Sequence, residues 1–277
     1  MPTYVLRALL IVLAILTSGC ASVPGARESR VDSSHELVTV ASERHRRIEQ
    51  YIDVAALAQT PQMALPQVRI DGGAHGEQIS SAQAQLVANN AARALCRELS
   101  GYTVLKAGDD GALLDPQLVV SAIMPTSGAV SGASSVLGFF VPGPFRLPAG
   151  LGGLAIDAQL LDSTGETVAV MRWARGANAV TNNAKISSIG DAWQLANSFG
   201  REFARALLDN DLQTAGLQRA KVSAETAKAN RALCAARFGT VNLAGRGASI
   251  FLPLAPEAID PGPPATANPT AARQWGY

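Results

Sequence analysis

Two stretches of this chain place apolar side chains at helical spacing, and the apolar runs around them are short or alternate with polar residues. That order constrains the fold more than any other feature. Val68 and Ile70 alternate with Gln67, Arg69 and Asp71, the pattern of a half-buried strand, and Gly72-Gly73 ends it. Ser80-Ser-Ala-Gln83 predicts a helix start, because a serine hydroxyl accepts from the first-turn amides while Gln83 reaches back. Leu86, Val87, Ala91, Ala94, Leu95 and Leu99 form the apolar face of that helix. Residues 102–105 and 118–123 read as strands, and residues 151–181 as a hairpin turning at Asp162-Ser-Thr-Gly165. A second helix is expected from Ser188, with Ile189, Ala192, Trp193, Ala196, Phe199, Phe203 and Leu207 on one stripe. The expected class is α/β of the two-layer α+β kind, over residues 65–210. A mixed sheet of about four to five strands would pack against two helices. Residues 211–240 read as an Ala-rich helix with a thin apolar face, able to extend from the domain or pair with a neighbour. Residues 241–277 are Pro-rich and read as a disordered tail, with one candidate strand at 249–252.

The chain begins differently. Arg7 precedes residues 8–16, which are all apolar, and Thr17-Ser18-Gly19-Cys20 follows. One basic residue, a short apolar run and small residues before a cut site describe a secretory signal. The run is well below the roughly 20 residues of a spanning helix. Thr17-Ser-Gly-Cys20 resembles the lipobox of bacterial lipoproteins, although Thr17 stands where that pattern prefers Leu. The resemblance implies that residues 1–19 are a removed signal peptide. Cys20 would then carry palmitate and further acyl chains as a lipid anchor. Ala21-Ser22 in place of an Asp resembles sorting to the outer membrane, facing the periplasm. Residues 20–64 would be the lipidated cysteine, a flexible tether and a lead-in. Ile48, Tyr51, Ile52 and Ala55 would lie on a short amphipathic helix, beside a basic cluster of Arg44, Arg46 and Arg47. That cluster reads as a solvated face or as a contact for anionic headgroups.

Loss of residues 1–19 removes one charge, Arg7, and leaves 22 basic and 22 acidic side chains. With 16% charged and 48% hydrophobic residues, the chain is neither a disordered polyelectrolyte nor a nucleic-acid binder working through bulk charge. Once Cys20 is acylated, Cys96 and Cys234 remain. They are a disulfide candidate in an oxidising compartment, or two buried thiols that never meet. No charged residue occurs from Pro116 to Phe145. Within that segment Val136, Leu137, Phe139, Phe140 and Val141 are a candidate contact surface, for lipid or for another subunit. The alternative is a long connection whose apolar residues tuck onto the domain.

Three segments carry a family resemblance. They are Leu86-Val-Ala-Asn-Asn-Ala-Ala-Arg-Ala-Leu-Cys-Arg-Glu-Leu-Ser, Gly152-Gly-Leu-Ala-Ile-Asp-Ala-Gln-Leu-Leu-Asp-Ser-Thr-Gly-Glu, and Trp173-Ala-Arg-Gly with the later Gly190-Asp-Ala-Trp. They resemble bacterial lipoproteins of the domain-of-unknown-function 3313 family, over roughly residues 65–210. The resemblance implies no catalytic residues.

The residues themselves offer little chemistry. His35, His45 and His75 form no metal-spaced pair. The one tight cluster of ligand types is His75 with Asp71 and Glu77, which reads as a solvated loop. Asp157, Asp162, Asp191 and Glu202 read as strand, turn and helix-cap residues rather than a paired acid and base. Arg172 and Arg175 flank Trp173, which reads as a core residue rather than a stacking platform. No motif calls for a metal or another cofactor. The expected function is that of a non-enzymatic lipoprotein. Its partners would be the membrane, through Cys20, and an envelope protein or a second copy, with no nucleic acid. The alternative is an auxiliary lipoprotein of a transport system, binding lipid or a small apolar ligand.

Overall fold

The computed structural model describes residues 23–24, 31, 34–59, 62–107, 114–127, 151–178, 187–208, 221–242 and 254–264. Cys20, Val136, Leu137, Phe139, Phe140 and Val141, and the candidate strand at 249–252, lie outside them.

The fold is α+β, with eight strands and five helices among the described residues. The first strands, β1 (Val38–Glu43) and β2 (Arg46–Ile52), are an antiparallel hairpin. The short α1 (Val54–Gln59), β3 (Gln62–Ala64) and β4 (Gln67–Ile70) follow. Then come the long α2 (Ser81–Leu99), β5 (Val104–Lys106) and β6 (Leu114–Met124). A second hairpin, β7 (Gly153–Asp162) and β8 (Thr167–Gly176), precedes α3 (Gly190–Leu208). The last helices are α4 (Ala224–Phe238) and the single turn α5 (Pro256–Ile259).

All strands join one sheet in the order β1-β2-β8-β7-β6-β3-β5, with β4 also paired to β6. The long pairings β1–β2, β2–β8, β8–β7 and β7–β6 are antiparallel, while β3, β4 and β5 enter in parallel pairings. The helix stripes pack on one sheet face. Leu95, Leu99, Leu118, Leu154, Ile156, Leu160, Trp173, Phe199 and Phe203 are almost wholly buried in that layer. Every member of the expected α3 stripe is buried. Gly200 lets α3 close on α2: an added Cβ there would lie 2.6 Å from both the Ala94 Cβ and the Leu95 amide.

Local signals act as chemistry requires. Gln83 N donates to Ser80 Oγ (3.2 Å) and Ser80 N donates to Gln83 Oε1 (3.0 Å), a complete capping box on α2. In the β7–β8 turn, Asp162 Oδ1 accepts from Thr164 Oγ1 and from the Thr164 and Glu166 amides, and Gly165 takes φ 86°. The Thr164 hydroxyl is the main reason that the Asp162 carboxyl sits below its ordinary pKa.

Five expectations need correction. The sheet has eight strands rather than four or five, because β1 and β2 belong to it. Ile48, Tyr51, Ile52 and Ala55 therefore share no amphipathic helix: the first three lie on β2, and only Ala55 is helical, in α1. Tyr51 and Ile52 extend a strand that pairs with β8 from Arg46↔Arg175 to Ile52↔Ala169. With one apolar residue in two or three, this segment fits either period, and the free edge of β8 selects the strand. Neither is the lead-in all tether. Pro24 abuts Gly153, and Val31 is buried with Val119 and Val170 on the sheet face opposite the helices.

Nor does α4 project from the domain. A disulfide joins its Cys234 to Cys96 of α2, 138 residues away. Asn230 of α4 accepts from the Leu105 amide and donates to the Ser100 and Thr103 carbonyls. Finally, residues 254–264 are no loose tail. Ile259 and Asp260 are buried against the domain, and Gly262 O approaches Gly239 so closely that a Cβ would lie 2.3 Å away.

Candidate functional site

The polar chemistry of the described residues concentrates in three places. The first is buried between α2, α3 and the C-terminal segment. Asn89, Arg93 and Cys96 recur at helical spacing on the side of α2 turned away from its apolar stripe. Arg93 Nη1 donates to Asp260 Oδ1 at 2.9 Å, and Nη2 donates to Oδ2. Nη2 also donates to Asn90 Oδ1 (2.7 Å), and Trp193 Nε1 donates to Asp260 Oδ2 (2.8 Å). Burial acts to raise the Asp260 pKa. The Arg93 hydrogen bonds and charge, with the Trp193 and Gly262 donors, more than offset this and hold the carboxyl below its ordinary value. This constellation is satisfied internally and serves as a clasp.

The second lies beside the first. A cleft of about 250 Å³ opens between α2 and α4, lined by Arg93, Arg97, Arg231, Cys234, Gly239 and Val241 among others. Asp260 neutralises Arg93. Arg97 and Arg231 are exposed, and neither guanidinium has a hydrogen-bond or ion-pair partner among the described residues. Two unpaired cations beside the apolar edge of a disulfide can hold a small anion with an apolar body.

The third is centred on Glu202 of α3. It accepts from Trp173 Nε1 (2.9 Å), Arg175 Nη1 (3.1 Å) and Arg46 Nη2 (3.4 Å), tying α3 to β8 and β2.

These placements decide the residues singled out above. Cys96 and Cys234 come together as the disulfide. Trp173 is buried on the helix side, while Arg172 lies on the other face in a row with Asp157 and Glu49. Asp191 is fully buried and accepts from the Gly152 amide (2.8 Å) and Thr126 Oγ1 (3.1 Å). His75 is half-buried in the turn before α2, its Nδ1 3.4 Å from Gly76 O. Among the described residues no three His, Cys, Asp or Glu side chains gather as a metal group. Arg44 and Arg47 are exposed at and beside the β1–β2 turn, and Arg46 turns inward to Glu202. Asp260, Arg97 and Arg231 were not foreseen. The legible signal was the polar stripe Asn89-Arg93-Cys96, which marks a second buried side of α2.

Comparison with known proteins places the chain. A family model described as "Protein of unknown function (DUF3313)" matches residues 27–203, from before β1 to within the last turns of α3. The chain belongs to that family. The DUF3313 match starts well before residue 65, in keeping with the place of β1 and β2 in the sheet. No curated protein matches the chain. Among solved structures it is similar to the PelC dodecamer from Paraburkholderia phytofirmans, with 14% identity and a TM-score of 0.38, over 58% of this chain and 96% of that one. A leucine-to-methionine variant of the same dodecamer aligns at 13% identity and a TM-score of 0.36, with the same coverage. No described helix is long and apolar enough to cross a membrane.

Proposed function

We propose that this DUF3313 protein is a lipoprotein of the bacterial envelope, held to the outer membrane on its periplasmic side by acyl chains on Cys20, with a non-enzymatic structural or partner-binding role. The observation that carries the reading is the Cys96–Cys234 disulfide in a chain opening with a lipobox-like signal. Disulfides form and persist in oxidising compartments such as the periplasm. A non-enzymatic role is supported by how the candidate acids are used. Asp162 closes a turn, Asp191 clamps a loop and Glu202 joins two layers. A partner-binding role is supported by β1, an edge strand with Val38 67% and Val40 49% exposed.

Labelling cells with an alkynyl palmitate analogue and fractionating the membranes tests the anchor. The expected result is a labelled chain in the outer-membrane fraction and loss of label in Cys20→Ser. An unlabelled, soluble wild-type chain would overturn the reading. A photocrosslinker at Val38 tests the partner role, with a discrete adduct expected in the native envelope.

A second reading, an auxiliary lipoprotein that binds a small ligand, is supported by the α2–α4 cleft with Arg97 and Arg231. Native mass spectrometry of the intact chain is its test. A copurifying organic anion, lost in the R97Q/R231Q variant, favours it.

A further inference from the structure

The position of Val23 fixes where an anchor at Cys20 can emerge. The Val23 amide donates to the Arg44 carbonyl in the β1–β2 turn (3.2 Å), and the next residue, Pro24, lies against Gly153 at the start of β7. Cys20 is three residues before Val23. Consecutive Cα atoms are 3.8 Å apart, so the two Cα atoms are at most about 11 Å apart. The β8 strand alone is 10 residues long, or about 33 Å from end to end. An anchor at Cys20 would therefore attach near the β1–β2 turn end of the sheet, because Cys20 itself cannot reach the β7–β8 turn at the other end.

The two ends differ in charge. The near end carries Arg44 and Arg47, both exposed, with Arg46 and Arg175 behind them on Glu202. Glu43 and Glu49 offset part of this, through His45 and Arg47. Arg44 has no side-chain partner among the described residues. The far end carries Asp115, Asp162 and Glu166 against Lys106. Met124, where β6 ends, also lies at the near end, paired with Gly153, where β7 begins.

We propose that the β1–β2 turn end of the domain rests on the membrane, with Arg44 on anionic phospholipid headgroups and the β7–β8 turn directed away from the bilayer. This rests on the reading of Cys20 as the anchor. A basic residue at an anionic surface adds to acyl attachment, and one acyl chain alone binds only marginally.

The test uses the processed, acylated chain in vesicles containing phosphatidylglycerol, with a fluorophore on S42C or on T164C. Cys96 and Cys234 are bonded and Cys20 would be acylated, so each variant offers one thiol. A nitroxide on the lipid headgroup is expected to quench the label at 42 at least threefold more than the label at 164. Adding R44Q is expected to reduce the quenching at 42 by about half, as is replacing phosphatidylglycerol with phosphatidylcholine. A wild-type chain that does not co-float with vesicles would overturn the anchor and the orientation together. A co-floating chain quenched equally at both labels would overturn the orientation alone. Quenching at 42 that ignores both R44Q and lipid charge would overturn the Arg44 contact.

Discussion

The guanidinium of Arg93 and the carboxylate of Asp260, 167 residues apart, form a doubly hydrogen-bonded ion pair that is almost wholly buried. It binds the last described segment of the chain to the middle of α2. Breaking a buried pair from one side leaves the other charge stranded, at a cost of about 3–5 kcal/mol, whereas replacing both partners with apolar groups is often neutral. Asp260→Ala is expected to lose about that much stability in urea unfolding. The R93M/D260L double variant should lose clearly less than Asp260→Ala.

The same pair sets a pH dependence. The folded pKa of Asp260 is lowered, so the group binds fewer protons folded than unfolded in the range between the two values. Its contribution is complete above the unfolded carboxylate value of about 4. It is lost as pH falls from there through the lowered folded value. Unfolding free energies measured between pH 6 and pH 3 should fall more steeply for the wild type than for R93M/D260L.

The disulfide closes a loop of 138 residues. Chain-entropy reasoning assigns such a link up to about 5 kcal/mol. The C96A/C234A variant should unfold at markedly lower denaturant, and hydrogen exchange should rise first in α4. Unchanged protection of α4 would show that Asn230 and Phe238 hold that helix without the bond.

Gly200→Ala should destabilise even though alanine is the better helix former by about 1 kcal/mol. The new methyl would meet the backbone of α2 at Leu95, which cannot rotate away. Overpacking of this kind costs about 1–3 kcal/mol. Gly72→Ala, which meets open space, is the control and should be near neutral in a thermal melt.

Much of the core was legible because its periods are unambiguous. The α3 stripe from Ile189 to Leu207 and the capping box at Ser80 and Gln83 are local patterns with local causes, and both stand in the structure. The hairpin turn at Asp162 is another, since Asp and Gly at fixed offsets satisfy their own backbone. The β1–β2 hairpin was not legible. A seven-residue segment with Ile48, Tyr51 and Ile52 as its large apolar residues fits either period, and the partner that decides it, β8, lies more than a hundred residues away.

The candidate sites divide in the same way. The reading of Cys20 as a lipidation site rests on its immediate neighbours in the chain. The clasp at Asp260 and the Arg97–Arg231 cleft gave no comparable signal, because a lone Asp in a Pro-rich segment and two Arg on separate helices read as solvated.

By itself the sequence determined the two apolar helix stripes, the strand hairpin read over residues 151–181 and the α+β class, and three of its segments carried the resemblance to the family. The stripes and the hairpin follow from spacing within one element and its immediate neighbours, and the class from the order of those elements. The tertiary structure alone decided that β1 and β2 complete the sheet, that Cys96 meets Cys234, and that Asp260 clasps Arg93. Those contacts join residues far apart in the chain, and their burial follows from which surfaces remain uncovered once the core has formed.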